Sequence, residues 1–150
     1  MMKKTIATNR KAFHDYFIEE KIEVGLVLVG TEIKSIRNGS VQFKDSYIHF
    51  ENNEAFIKDM YIGQYEFGNR FNHDETRIRK LLMHKQEIMK LAKKVKLKGY
   101  TVVPLSLYLS EGKAKMEIAL ALGKALHDKR QVQKEKDAKR EIETAIKRNY

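Results

Sequence analysis

Residues 100–122 read YTVVPLSLYLSEGKAKMEIALAL, and this stretch decides the fold. Leu105, Leu107 and Leu109 alternate with polar or smaller neighbours, as do Met116, Ile118 and Leu120. A period of two belongs to a strand with one buried face. Ser110, Glu111 and Gly112 interrupt the pattern at its centre, so residues 100–109 and 113–122 are predicted to pair as a hairpin. Upstream, residues 47–51 and 55–59 flank Asn52-Asn53-Glu54 and predict a second hairpin. Residues 24–30 (VGLVLVG) are apolar and β-branched, as expected of a largely buried strand. The TEIKSIRNG that follows sets Ile33 and Ile36 three apart and stops at Asn38-Gly39, which predicts a short helix packed on the sheet.

A longer helix is predicted over residues 84–97, where Ile88, Leu91, Ala92 and Val95 share one face of a 3.6-residue period. Lys90, Lys93 and Lys94 lie opposite, and Gly99 supplies a stop. Residues 78–83 suit strand or helix equally. Residues 63–76 (GQYEFGNRFNHDET) have no clear period and read as a loop. About five or six strands with two helices and no βαβ rhythm predict a mainly β chain with some α, arranged as a small antiparallel barrel.

The chain has 150 residues, 42% of them hydrophobic, which suits one domain with a modest core. Its longest aliphatic stretch, residues 24–30, is far too short to span a bilayer. The opening MMKKTIATNR turns polar at once, without the apolar core of a signal peptide, so a cytoplasmic location is expected. There is no cysteine, hence no disulfide and no zinc–thiolate site.

The formal charge of +10 is unevenly spread. Residues 1–76 are slightly acidic, with 10 Lys/Arg against 12 Asp/Glu. Residues 77–98 hold nine basic residues against Glu87 alone. Such a concentration predicts a positive patch that attracts a polyanion by counterion release and steering. An anionic membrane is the weaker partner, because no hydrophobic anchor accompanies the charge. Residues 127–150 form a second basic region with no Gly or Pro and only a narrow apolar stripe of Ala138, Ile142, Ala145 and Ile146. A helix with so little to bury is marginal alone in water, so this tail is expected to become helical against a partner. The predicted organisation is a barrel over residues 1–126 and a basic tail over 127–150.

Catalytic signatures are missing. His14-Asp15, His73-Asp74 and His127-Asp128 are neighbours in sequence only, and no HExxH, Gly-rich phosphate loop or GxSxG elbow occurs. The histidines read as surface, capping or RNA-stacking residues. An RNA-binding protein without cofactor or metal is expected, not an enzyme.

Several segments resemble one family in ordered succession. NRKAFHDYFI, EVGLVLVGTEIKSIRNG, FKDSYI, HDETRIRKLLMHKQEI, KGYTVVPLSLY, KMEIALALGKALHDKR and DAKREI are similar to the SsrA-binding protein (SmpB) family over nearly the whole chain. The resemblance implies an oligonucleotide-binding-type (OB-like) barrel with two or three packed helices. It also implies the family's role: binding the tRNA-like domain of tmRNA and bringing it, with elongation factor Tu and GTP, to ribosomes stalled without a stop codon. The partners implied are tmRNA, the ribosome with its small-subunit rRNA, and elongation factor Tu through the tmRNA complex. The chain is expected to act as a monomer.

Carried over motif by motif, the tmRNA contacts implied are Asn9, Glu23 in KIEVG, Leu82 in RKLL and Lys115 in AKMEI. Lysine neutralises phosphate, Glu and Asn bond base edges or a 2′-hydroxyl, and leucine packs under an exposed base. For Leu82 plain core packing explains the residue equally well. Arg77, Arg79 and Lys80 join this set from charge clustering alone. Similarity to the family motif GKKxHDKR places Gly123, Lys124, His127, Asp128, Lys129 and Arg130 at the ribosomal decoding site. Leu122 and Ala125 depart from the pattern, standing where the family usually has basic residues. A small-subunit ribosomal structural protein is the alternative reading, because a barrel with a basic tail suits it on physics alone.

Overall fold

A computed structural model describes residues 3–68 and 71–124 of the chain. The elements run β1 (Lys3–Thr8), α1 (Arg10–Asp15), β2 (Tyr16–Leu26), α2 (Gly30–Arg37), β3 (Val41–Gln42), β4 (Tyr47–Glu51), β5 (Glu54–Lys58), β6 (Tyr61–Ile62), β7 (Arg79–Leu82), α3 (Lys85–Val95), β8 (Tyr100–Ser110) and β9 (Lys113–Gly123). Seven strands form one antiparallel sheet in the order β1-β8-β9-β2-β7-β5-β4, and β3 pairs with β6 apart from it.

Both predicted hairpins are present. Asn52 and Asn53 have φ of 51° and 61°, and Glu111 and Gly112 have 54° and 77°. Two successive positive φ angles make the turn that matches the twist of the flanking strands. The short helix is α2, the lysine-bearing helix is α3, and the ambiguous residues 78–83 resolve as strand β7.

Three expectations differ from the structure. The first concerns the predicted strand at residues 24–30. Strand β2 begins at Tyr16 and ends at Leu26, after which the chain leaves the sheet and Val29 caps α2. The aliphatic run therefore serves two elements. Secondly, β1, α1, β3 and β6 were not anticipated, because six- and two-residue elements carry too little period to show in sequence.

Thirdly, the sheet does not close into the expected barrel. It curls far enough for β4 to lie against β8, but β1 already occupies the hydrogen-bonding edge of β8 that closure would require.

Two bulges set which residues face which way. A register shift between Ile18 and Glu20 in β2, and another between Pro104 and Ser106 in β8, exchange the two faces of each strand. Val24, Val102, Leu107, Met116, Ile118 and Leu120 thereby face the main core, where α3 inserts Ile88 and Leu91. On the outer face, Val103, Leu105, Ala119 and Ala121 pack under Ala12 of α1, joined by Tyr16 and Ile18. So α1 covers one end of the outer face. Among the described residues, no helix packs on the end nearer the β8–β9 turn.

Candidate nucleic-acid interface

The other end is built around one row across five strands. Register pairs Thr5 with Tyr108, Tyr108 with Lys115, Lys115 with Gly25, and Gly25 with Leu82. Leu82 is 57% exposed, a position no core-packing role explains. The reason lies opposite it: a Cβ on Gly25 would stand 3.2 Å from Leu82 Cδ1, so the glycine opens the space over which the leucine lies. Leu82, Gly25, Leu28, Ile33, Lys113 and Lys115 line a shallow cavity of about 370 Å³ there.

Glu23 organises the polar half of the row. Its carboxylate accepts a short hydrogen bond from the Tyr108 hydroxyl and pairs with Lys115 Nζ at 3.4 Å. The Tyr108 bond, followed by Lys115, holds the Glu23 carboxyl below the ordinary range against partial burial. Burial and the Glu23 carboxylate push the Tyr108 hydroxyl up, so it stays a donor. Lys3 Nζ sits 3.8 Å above the Tyr108 ring. The arrangement offers a cation for phosphate, an acceptor for a base edge or 2′-hydroxyl, and an apolar surface for a base face.

Glu23, Leu82 and Lys115 thus stand together on one exposed surface. Lys80 lies on the same outer face two residues along β7 from Leu82, with Nζ 3.3 Å from Glu54. The other expected members do not join them. Asn9 is buried: Oδ1 accepts from the Ala12 amide, Nδ2 donates to the Pro104 carbonyl at 2.8 Å, and the residue caps α1. These bonds seat α1 on the outer face, away from the Glu23–Lys115 pair.

Arg79 also stands apart from that surface. It is 0% exposed, bonded to Glu32 and donating to the Met60 carbonyl at 2.7 Å. Alternation along β7 sends it inward while Lys80 and Leu82 point out. Arg77 reaches the same carboxylate, with Nη2 2.6 Å from Glu32 Oε1 and a further bond to the Val27 carbonyl. Burial acts to raise the Glu32 carboxyl, but the bonds from Arg77, the Val29 amide and Arg79 outweigh it and hold the group low.

The dense basic segment is therefore not one patch. Its arginines stabilise the interior, Lys80 joins the outer face, and Lys90 and Lys94 lean from α3 onto Glu20. Of the expected tail contacts, Gly123 ends β9 paired with Tyr16, and Lys124 is exposed with Nζ 5.9 Å from the centre of the Phe17 ring. His127, Asp128, Lys129 and Arg130 lie outside the described residues, as does Ala125. Leu122, which departs from the family pattern, is buried in β9.

Gly25, Tyr108 and Lys3 were missed in the sequence. A tyrosine among strand leucines was the available signal, since a buried hydroxyl requires a partner. Among the described residues, no helix is long and apolar enough to cross a membrane, and no group of acidic and histidine side chains is placed to hold a metal ion.

A curled antiparallel sheet with one helix-covered end and one open end bearing lysine, carboxylate and exposed leucine defines an RNA-binding protein of mainly β class. Comparison with known proteins narrows this. The family model described as SmpB protein matches residues 6–148, and the chain belongs to that family. It is 55% identical over 147 residues to the SsrA-binding protein of Sulfurihydrogenibium sp. strain YO3AOP1, covering 98% of this chain and 97% of that one. It is 58% identical over 144 residues to the SsrA-binding protein of Bacillus cereus strain ATCC 10987 / NRS 248, covering 96% and 93%. A solved structure described as "tmRNA-SmpB: a journey to the center of the bacterial ribosome" superposes with a TM-score of 0.68 at 48% identity, covering 79% of this chain and 83% of that one.

Proposed function

We propose that this protein binds tmRNA and acts with it on the ribosome in trans-translation, the rescue of stalled ribosomes with tagging of the nascent peptide. One observation carries the reading. Glu23, Leu82 and Lys115, matched separately to family motifs and far apart in sequence, stand together on one face of the sheet, with Glu23 paired to Lys115 and Leu82 in the row of Lys115. A ribosomal structural protein is not favoured, because near-full-length relatives are SsrA-binding proteins.

In this reading the uncovered sheet end is the tmRNA surface. Lys115 neutralises a phosphate, Glu23 accepts from a base edge or a 2′-hydroxyl, and Leu82 packs beneath a base. The curled sheet works as an OB-like platform without its ladder being closed. The tail, residues 127–150, probes the empty mRNA channel and decoding site through Gly123, Lys124, His127, Asp128, Lys129 and Arg130. Elongation factor Tu with GTP joins through the tmRNA complex. The protein acts as a cytoplasmic monomer and as an adaptor, not an enzyme.

A gel shift comparing the tRNA-like domain of tmRNA with ordinary tRNA tests the central claim. Clear preference for tmRNA is expected, and equal affinity for both would overturn it. Truncation after Leu126 separates body from tail: tmRNA binding should persist while peptide tagging on stalled ribosomes is lost. Loss of tmRNA affinity on truncation would refute the division of roles.

A further inference from the structure

Beside the row at Leu82, the outer face of the sheet carries a second row that runs onto the β4–β5 hairpin. The Val27 amide donates to the Lys80 carbonyl at 2.9 Å, Lys80 stands opposite Phe56 on β5, and Phe56 stands opposite His49 on β4. Ala55 and Ile57, on either side of Phe56, are wholly buried in the main core. Alternation therefore turns the Phe56 ring outward, where it is half-buried. It turns Lys58 out from β5 in the same way, and Tyr47 and His49 from β4.

A strand with one face in water usually presents polar side chains there. Here apolar surface recurs on all four strands of the row. Val27 is 45% exposed and Tyr47 37%, and Leu82 follows Lys80 by two residues along β7. Cations are set between these groups: Lys80 lies between Val27 and Phe56, and Lys58 faces Tyr47 across the ladder. The carboxylates on the outward face of the hairpin, Glu51 and Glu54, stand opposite each other at its turn. Glu51 lies 3.7 Å from His49 Nε2, and Glu54 lies 3.3 Å from Lys80 Nζ. Rings interleaved with cations form the kind of surface on which unpaired bases stack while their phosphates are neutralised. Opposed residues of neighbouring strands are about 5 Å apart, so a base on Phe56 has Lys80 on one side and His49 on the other.

We propose that this row is a stacking platform for one unpaired base of the bound RNA, lying on the Phe56 ring beside His49, with its phosphate at Lys80 in place of Glu54. Every base has a π-face, so the platform holds the RNA without choosing its sequence. The inference rests on the RNA-binding reading and carries the strand from Leu82 across β7 onto the hairpin.

The chain contains no tryptophan, so Phe56→Trp places a single reporter in the row. The probe is the tRNA-like domain of tmRNA, with saturation fixed independently by gel shift. Quenching of the tryptophan emission at saturation is expected. Phe56→Leu keeps an apolar side chain and removes the ring. It should weaken binding by about tenfold, the scale of one lost base–aromatic stack, with the salt slope unchanged because no phosphate contact is lost. Thermal melting checks that Phe56→Leu is folded at the assay temperature; where it is not, the tryptophan emission decides. Unquenched emission at saturation, or a folded Phe56→Leu protein within twofold of the unaltered affinity, overturns the platform and leaves the row at Leu82 standing. Failure of every form, including the unaltered protein, to bind the RNA overturns the underlying reading as well.

Discussion

Two clusters in this protein use the same chemistry to opposite ends. Glu32 with Arg77 and Arg79 is a carboxylate held by two cations, and Glu23 is a carboxylate held by one cation, Lys115, and the neutral Tyr108 hydroxyl. The first is buried and ties α2 to β7; the second stands at the open end of the sheet. In the interior every bonding position of Arg79 must be met by the protein, and its guanidinium reaches Glu32 and the Met60 and Glu75 carbonyls. At the surface Lys115 keeps about a third of its side chain in water, where a phosphate can replace solvent. Location, not residue type, separates an architectural ion pair from a binding one.

The comparison predicts a division of effects. Glu32→Gln should give the largest, about 3–5 kcal/mol lost in urea denaturation, because it leaves two arginines facing an uncharged partner. Intact stability in that variant would mean that the buried cluster does not hold the fold. The same residue sets a pH signature. Its folded pKa is depressed, so the unfolded chain takes up protons first as pH falls, and stability rises with pH in that range. Its contribution is complete above the ordinary glutamate value of 4.5 and is lost as pH drops through the lower folded value. Acid unfolding of Glu32→Gln should lack that component.

The surface cluster should respond in affinity. Lys115→Glu is expected to lower affinity for the tRNA-like domain by about tenfold or more, with stability altered by no more than about 0.5 kcal/mol. Neutralisation by Lys115→Gln should flatten the dependence of log K on log salt by about 0.7 to 0.9, the share of one phosphate. An unchanged slope would remove Lys115 from the phosphate contacts. Leu82→Ala, at an exposed site, should cost about fivefold in affinity and almost nothing in thermal stability, and a large stability loss would return Leu82 to the core. Gly25→Ala should be smallest, about two- to threefold in affinity, because the new methyl displaces Leu82 by only a few tenths of an ångström.

The sequence reading reached a good part of this. The strand pairs at residues 47–58 and 100–123, and helices α2 and α3, follow from periods of two and 3.6 and from turn residues, all written within a few positions of one another. Family motifs reached Glu23, Leu82 and Lys115. Charge clustering grouped Arg79, which faces inward, with Lys80, which faces out, since a count of basic residues carries no direction.

By itself, then, the sequence determined what local chemistry encodes: mainly β structure, the hairpins, the concentration of positive charge and the family. Tertiary structure alone decided which of those charges meets a partner. Along the four residues of β7, alternation sends Arg79 to Glu32 and Leu82 to the space that Gly25 leaves open. Which face of β7 is inside depends on α2 and β2, more than forty residues earlier in the chain. No local pattern records that choice, because it is made by the packing of distant segments that only the folded chain brings together.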